Sequence, residues 1–153
     1  FVTEELGFDA AINHHTDDLR AALKAACPDR VDVYFDNVGG RVLDAVLGEL
    51  AMHGRVVLCG AISVYNEQGK PPGPANYLNL ISRRGRMEGF IALDWVPRFG
   101  EAAIQLGQWV AEGKLRHFEQ FYDGLDASVD ALNALYTGAN TGKVILRLPP
   151  ALA

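Results

Sequence analysis

Residues 31–60, VDVYFDNVGGRVLDAVLGELAMHGRVVLCG, have the pattern of a strand, a helix and a second strand. The first run, residues 31–35, is too apolar for a strand with one face in water. Such runs are typical of parallel sheets that carry helices on both faces. The run stops at Asp36 and Asn37, so the first strand is predicted to end in polar side chains.

The helix and the second strand follow at once. Apolar side chains recur at helical spacing over residues 42–50, and Gly54 is the expected end of this helix. The second strand is predicted for residues 55–59 and is followed by the small residues 60–61. The stretch is therefore a βαβ unit. Its strands end at the same carboxyl edge of a parallel sheet, where such sheets bind ligands.

The flanking sequence continues the alternation, so the chain is predicted to be α/β with a doubly wound parallel sheet. A Pro- and Gly-rich loop, residues 67–76, is expected beside the ligand-binding edge. The other expected elements are a helix end at residues 1–6, a strand at 9–13, a helix capped by Thr16 with the buried stripe Leu19, Ala22, Leu23 and Ala26, a helix at 77–84, a strand at 86–93, a helix from Arg98 closed by Gly113, a strand at 116–122, a helix at 128–136 and a strand at 144–148.

Composition narrows the classes of function. The chain has 153 residues, 49% of them hydrophobic, and a net charge of −5. These values are typical of a soluble globular protein and argue against a nucleic-acid-binding surface. The basic group Arg83, Arg84 and Arg86 is interpreted as a solvated helix end. No apolar run is long enough to span a bilayer and no signal peptide is visible, so we expect a cytoplasmic protein without a membrane partner.

Metal ligands are not expected. The cysteines, Cys27 and Cys59, are far apart in sequence, and the histidines have no HxxH or HxxxH spacing, whereas a zinc site needs about four clustered ligands.

Five motifs in order, DNVGG, CGAISVYN, GPAN, RMEGFI and GANTGKVIL, resemble the zinc-independent medium-chain dehydrogenase/reductase superfamily. Its prostaglandin reductase, leukotriene B4 12-hydroxydehydrogenase and plant double-bond reductase branch is the most similar. The resemblance implies a partial Rossmann domain, residues 1–114, that lacks its first strands. It also implies that residues 115–153 return to a catalytic domain. Because the chain begins at Phe1, we expect it to be the later part of a longer protein.

The implied activity is NADPH-dependent reduction of the C=C bond of α,β-unsaturated aldehydes or ketones. The substrates are thus small molecules, and the reaction is expected to need no metal. Two alternatives remain open: a quinone oxidoreductase of the same superfamily, and a non-catalytic cofactor-domain fragment or dimerisation module. The family's glycine-rich turn would precede residue 1, so the isolated chain is expected to be inactive and to bind NADPH weakly.

The resemblance also implies site residues, with Tyr65 as the catalytic candidate, either binding the nicotinamide ribose or assisting proton transfer to an enolate. The implied cofactor-binding residues are Asn37, Cys59, Gly60, Ala61, Ile62, Ser63, Tyr65, Phe90, Ile91, Ala92 and Asn140.

Each of these assignments has a structural alternative. Asn37 and Asn140 are also ordinary turn residues, and Tyr65 is also a loop aromatic that packs on the Pro-rich stretch. Residues 90–92 are equally a buried strand end. His14 stands where the family usually has tyrosine, and its stacking on the adenine is left open. By resemblance, two copies pair through the strand at residues 86–93, which predicts a homodimer.

Overall fold

The computed structural model describes residues 1–66 and 68–149 and divides into two compact units, Phe1–Pro97 and Arg98–Ala153. None of the described helices is long and apolar enough to cross a membrane. The first unit contains α1 (Leu19–Ala26), β1 (Val31–Asp36), α2 (Gly40–Gly48), β2 (Leu50–Leu58), α3 (Asn79–Arg83) and β3 (Arg86–Gly89), with 3₁₀ turns at Ile62–Val64 and Ala75–Leu78 and a 3₁₀ helix, Ala92–Arg98, after β3.

The sheet of the first unit has the order β1-β2-β3, and all its pairs are parallel. Phe35 pairs with Val57 across β1 and β2, and Val56 pairs with Met87 across β2 and β3. The parallel α/β class is therefore confirmed. All three strands end at one edge, and β1 and β3 are the outer strands among the described residues.

The core lies between one face of this sheet and the helices α2 and α3. Leu43 and Leu47 from α2 pack on Leu50 and Val56 from β2, and each of the four is at least 92% buried. A fully buried aliphatic side chain contributes about 1.5–3 kcal/mol, so this cluster is the main stabilising element of the unit. On the opposite face, the side chains of Val33 and Phe35 are about half exposed.

The boundary between α2 and β2 differs from the prediction. α2 ends at Gly48 rather than at Gly54, and β2 begins at Leu50, not at residue 55. Leu50 pairs with Val31, while Val33 already pairs with Arg55, so β2 bulges between these pairs. Gly54 lies inside the bulge, where an added Cβ would be 2.9 Å from the Val31 carbonyl oxygen. Pairing with β1 thus overrides the helical periodicity of these residues.

The predicted strand at residues 9–13 is wrong, since no described strand lies before β1. The Asn13 carbonyl instead accepts hydrogen bonds from the amides of Thr16 and Asp17 in a local turn. The cap of α1 is Asp18 and not Thr16, because the Asp18 carboxylate accepts from two first-turn amides. The predicted buried stripe is wrong in its extent, since no residue of α1 is fully buried: Leu19, Ala22 and Leu23 are half-buried and Ala26 is exposed.

β3 also differs from the prediction, since it ends at Gly89 and not at residue 93. The Asp94 amide donates to the Ile91 carbonyl, and the backbone turns into the 3₁₀ helix that contains Pro97.

The second unit is a two-stranded parallel sheet with two helices. The strand expected at residues 116–122 is shifted to 119–123, while the two helices and the last strand agree with the predictions within two residues. The helix Phe99–Ala111 has no buried residue. The predicted domain boundary at residue 114 stays a prediction. The elements are α4 (Phe99–Ala111), β4 (Glu119–Asp123), α5 (Ser128–Thr137) and β5 (Lys143–Arg147), with a 3₁₀ turn at Leu125–Ala127.

Candidate functional site

The segments that follow β1 and β2 are hydrogen-bonded to each other at the carboxyl edge of the sheet. The bonds run from the amides of Cys59 and Gly60 to the carbonyl of Asp36 (2.8 and 3.1 Å), from Ile62 to Asn37 (3.2 Å) and from Ser63 to Val38 (3.1 Å). The Ser63 hydroxyl also donates to the Val38 carbonyl, at 2.6 Å. The structure therefore brings together two of the segments that the sequence assigned to the cofactor.

The buried carboxylate of Asp36 organises the turn after β1. Its side chain is inaccessible to solvent, and its Oδ1 accepts from the amides of Val38 and Gly39, both at 2.9 Å, and from the hydroxyl of Tyr34 at 2.8 Å. Burial raises the pKa of Tyr34, and the hydrogen bond to Asp36 and its negative charge raise it further. The phenol is therefore a stable donor to the carboxylate.

Sequence reasoning missed this role of Asp36. It treated the residue only as the end of an apolar run, although an aspartate before Asn-Val-Gly-Gly is the usual residue of an Asx turn. The second oxygen, Oδ2, is buried and has no hydrogen-bond partner among the described residues.

The side chain of Asn37 is exposed and unpaired among the described residues, and its role in cofactor binding stays a prediction. The turn-forming role that was the alternative for Asn37 belongs to Asp36, one residue earlier. The Asn37 amide is thus left with a donor and an acceptor at the edge of the sheet.

Two glycines allow the turn to approach the next segment closely. Gly39 and Gly40 have φ angles of 69° and 53°, which disfavour other residues. A Cβ on Gly40 would lie 2.8 Å from Ser63 Oγ, and one on Gly39 would lie 3.1 Å from the Ala61 Cβ. Both glycines are therefore required by the backbone geometry of the turn.

Tyr65 folds back over the loop that precedes it. Its hydroxyl accepts a hydrogen bond from the Ala61 amide at 3.3 Å, and 68% of the residue is exposed. A Cβ on Gly60 would lie 3.4 Å from both the Tyr65 hydroxyl and the Asn37 carbonyl oxygen. A side chain at Gly60 would thus fill the space between the two polar candidates.

The loop amides are already engaged. Those of residues 59–63 all donate to acceptors of the protein itself. Gly60 and Ala61, both predicted to bind the cofactor, therefore have no free backbone amide to offer it. The exposed polar groups offered here are side chains, namely those of Asn37 and Tyr65, and backbone carbonyls.

Phe90 extends the edge on the other side of β2. Its amide donates to the Leu58 carbonyl at 3.1 Å, and its ring meets that of Phe35 edge to face, with centroids 5.8 Å apart. Ile91 is 63% exposed, and Ala92 begins the 3₁₀ helix. Residues 90–92 thus lie after the strand end and beside β2, but not in a strand.

A cavity of about 590 Å³ lies between the start of α2 and the described part of the Pro-rich loop. His14, Arg41 and Ser63 line it, with Pro72 and Pro74 from the loop. The loop therefore lies beside the carboxyl edge of the sheet, as predicted, and His14 lines this cavity.

Asn140 belongs to the second unit. Its side chain donates to the Gly142 carbonyl at 2.9 Å, in the turn that precedes β5. This bond is expected if Asn140 is an ordinary turn residue. The role of Asn140 in cofactor binding stays a prediction.

No group of three or more His, Cys, Asp or Glu side chains within residues 1–66 and 68–149 is arranged to hold a metal ion. Both cysteines are free, and Cys59 is exposed.

Comparison with known proteins identifies the family. The family described as zinc-binding dehydrogenase matches residues 6–146. The chain belongs to this family. The resemblance drawn from the five motifs is confirmed, because the similar proteins of this family include reductases of the expected branch.

Two relatives of this dehydrogenase family are especially informative. The NADPH-dependent curcumin reductase of Escherichia coli is 41% identical over 151 residues, which cover 95% of this chain. Prostaglandin reductase 1 of Rattus norvegicus is 41% identical over 147 residues, or 94% of this chain. The chain spans 44% of the length of each relative.

A solved structure has the same fold. The structure of CurA from Vibrio vulnificus in complex with NADPH matches 97% of this chain with a TM-score of 0.86 and 38% identity, and the match covers 46% of that chain. The first unit thus has the Rossmann-like architecture of this dehydrogenase family.

Proposed function

We propose that the whole protein reduces the C=C bond of α,β-unsaturated aldehydes or ketones with NADPH and without zinc. The observation that carries the proposal is the free Asn37 amide at the carboxyl edge of the sheet, beside the space that a Cβ on Gly60 would fill. Parallel α/β sheets bind dinucleotides at this edge. The named activities of the similar reductases support the same chemistry.

The residues at this edge fit the nicotinamide half of a dinucleotide. The Asn37 side chain offers one donor and one acceptor to a ribose hydroxyl or a carboxamide, and Gly60 leaves room for a ring. Phe90 and the exposed Ile91 supply apolar surface on the other side of β2.

When bound, NADPH supplies the hydride, which forms a bond to the β-carbon while the C=C π electrons move through the α-carbon onto the carbonyl oxygen. The α-carbon of this enolate then takes a proton. We assign the proton to the Tyr65 hydroxyl, because its oxygen accepts from the Ala61 amide and so keeps its proton to donate. The same amide still donates to the oxygen after the proton has left.

The test uses the full-length protein, NADPH with deuterium at the transferred position, and a conjugated enone beside its saturated ketone. We expect deuterium at the β-carbon of the product and no consumption of the saturated ketone. Deuterium at the carbonyl carbon, with an alcohol as product, would show that the protein is a carbonyl reductase.

We also propose that two copies pair through β3, in a cytoplasmic homodimer. β3 is an outer strand of the three-stranded sheet, and such strands expose unpaired backbone groups. The paired segment is limited to Arg86–Gly89, because residues 90–93 are not strand. Sedimentation of the full-length protein is expected to show a dimer, and a monomer at every concentration contradicts it.

A further inference from the structure

The helical layer of the first unit contains a second, strongly basic cavity. It has a volume of about 300 Å³ and lies where the chain enters β1 and β2, at the sheet edge opposite to Asn37 and Tyr65. The charged side chains that line it are Arg20, Lys24, Arg30, Glu49 and Arg83, and the amides Asn76 and Asn79 line it as well.

The charges in this cavity do not balance. Glu49 is its one carboxylate among the lining residues, is 4% exposed and pairs with Arg20 at 3.4 Å and Arg30 at 3.6 Å. Lys24 and Arg83 have no ion pair or side-chain hydrogen bond within residues 1–66 and 68–149. Four cations and one carboxylate leave three positive charges, in a chain whose net charge is −5.

Lys24 and Arg83 lie in the last turns of α1 and α3, where the helix dipole favours a cation. Of the three arginines that the sequence analysis grouped, Arg86 pairs with Glu88, and Arg84 donates to the Ser82 carbonyl and to the sulfur of Met52. Only Arg83 lines the cavity. Like charges gathered around one cavity repel each other, and a bound anion removes that cost.

We propose that this cavity binds a doubly charged phosphate group, either as free phosphate or as a small phosphomonoester. Arg83 and Lys24 bind the anion directly, because their charges are uncompensated. Arg20 and Arg30 line the cavity on the side of Glu49. Arginine forks and lysine ammonium groups are the usual ligands of phosphate in proteins.

The cavity, with a volume of about 300 Å³ and a polar lining, has room for a phosphate group. Glu49 does not oppose binding, because Arg20 and Arg30 face it and neutralise it. Asn79 is held by its bond to the Leu47 carbonyl at 3.2 Å, so this wall of the cavity is fixed before a ligand arrives. A prepared wall reduces the ordering that binding requires.

The test is calorimetry of the full-length protein with inorganic phosphate and, separately, with glycerol phosphate, at an ionic strength matched with sodium chloride. We expect saturable binding that weakens at least about tenfold in Lys24→Gln/Arg83→Gln, since each removed bond is to a charged group. The control Arg86→Gln also removes a positive charge but lies outside the cavity, and its affinity is expected to be unchanged.

The two ligands distinguish the sources of the phosphate. If glycerol phosphate binds more tightly than inorganic phosphate, the natural ligand is a phosphomonoester. If inorganic phosphate binds more tightly, the natural ligand is free phosphate. Equal weakening by Arg86→Gln and by the double substitution would overturn the proposal, as would the absence of saturable binding. In NMR spectra, phosphate is expected to shift the amides of Gly48 and Asn79 and not that of Cys59. A shift confined to Cys59 would also overturn it.

Discussion

The Tyr34 hydroxyl donates to the Asp36 carboxylate at 2.8 Å, two positions along the same strand. The same oxygen of Asp36 also accepts hydrogen bonds from the amides of Val38 and Gly39. One buried carboxylate thus connects the core of the first unit to the turn that presents Asn37. The polar interactions of the core and the geometry of the candidate site are therefore linked.

Replacing Asp36 is expected to destabilise the fold. Asp36→Ala removes three bonds to a charged acceptor, and such bonds contribute about 1.5–3 kcal/mol each but are not additive. We expect the free energy of unfolding to fall by about 3 kcal/mol, against about 1 kcal/mol for Tyr34→Phe. Urea unfolding measures both, and an Asp36→Ala protein of unchanged stability contradicts the assigned role.

The raised pKa of Tyr34 predicts a loss of stability at high pH. In the unfolded chain the phenol loses its proton near pH 10, whereas the folded protein retains it to higher pH. The folded state then binds more protons, so the free energy of unfolding declines as the pH rises above about 10. The stabilisation is fully present below that pH.

Urea unfolding between about pH 8 and pH 11 tests this prediction. Tyr34→Phe is expected to reduce the slope above pH 10. Tyr136→Phe, at an exposed residue, is the control and is expected to retain it. Equal slopes in all three proteins would assign the decline to other groups.

Asn37→Ala in the full-length protein is expected to raise the KM for NADPH about tenfold, because one or two hydrogen bonds to the cofactor are lost. The turn itself is held by Asp36, so the fold is expected to be unchanged. Asn133→Ala, on the exposed face of α5, is the matched control. Steady-state kinetics measure both variants, and an unchanged KM would return Asn37 to a structural role.

Tyr65→Phe retains the ring and removes the hydroxyl. If this hydroxyl protonates the enolate, kcat is expected to fall about 10²-fold, with little change in the KM for NADPH. Tyr77→Phe, also exposed, serves as the control. An unaltered rate would assign the proton to solvent.

Gly40→Ala tests the close approach of the two loops. The added Cβ would lie 2.8 Å from Ser63 Oγ at a φ of 53°, so we expect a loss of about 1–2 kcal/mol of stability. Ser63→Ala in the same protein is expected to recover part of this loss, because it removes the clashing oxygen. Urea unfolding of the two single variants and the double variant measures the coupling, and purely additive effects contradict the clash.

The sequence by itself determined the elements whose signals are local. The apolar run of β1, the helical periodicity of α2 and the glycines after Asn37 predict a parallel α/β unit, because each signal depends on neighbours within a few residues. The same signals predict that Asn37 and Gly60 lie at one edge of the sheet. Five short motifs in order were enough to identify the family.

Only the tertiary structure decided the features that depend on residues distant in sequence. Leu50 reads as helix, yet it pairs with Val31 and begins β2, because strand pairing and burial outweigh helical propensity. Asp36, not Asn37, forms the turn, because its buried carboxylate accepts hydrogen bonds from the amides of Val38 and Gly39. Arg83 of α3 lines the same cavity as Arg20 and Lys24 of α1 because the helices pack together. No local sequence pattern predicts this proximity.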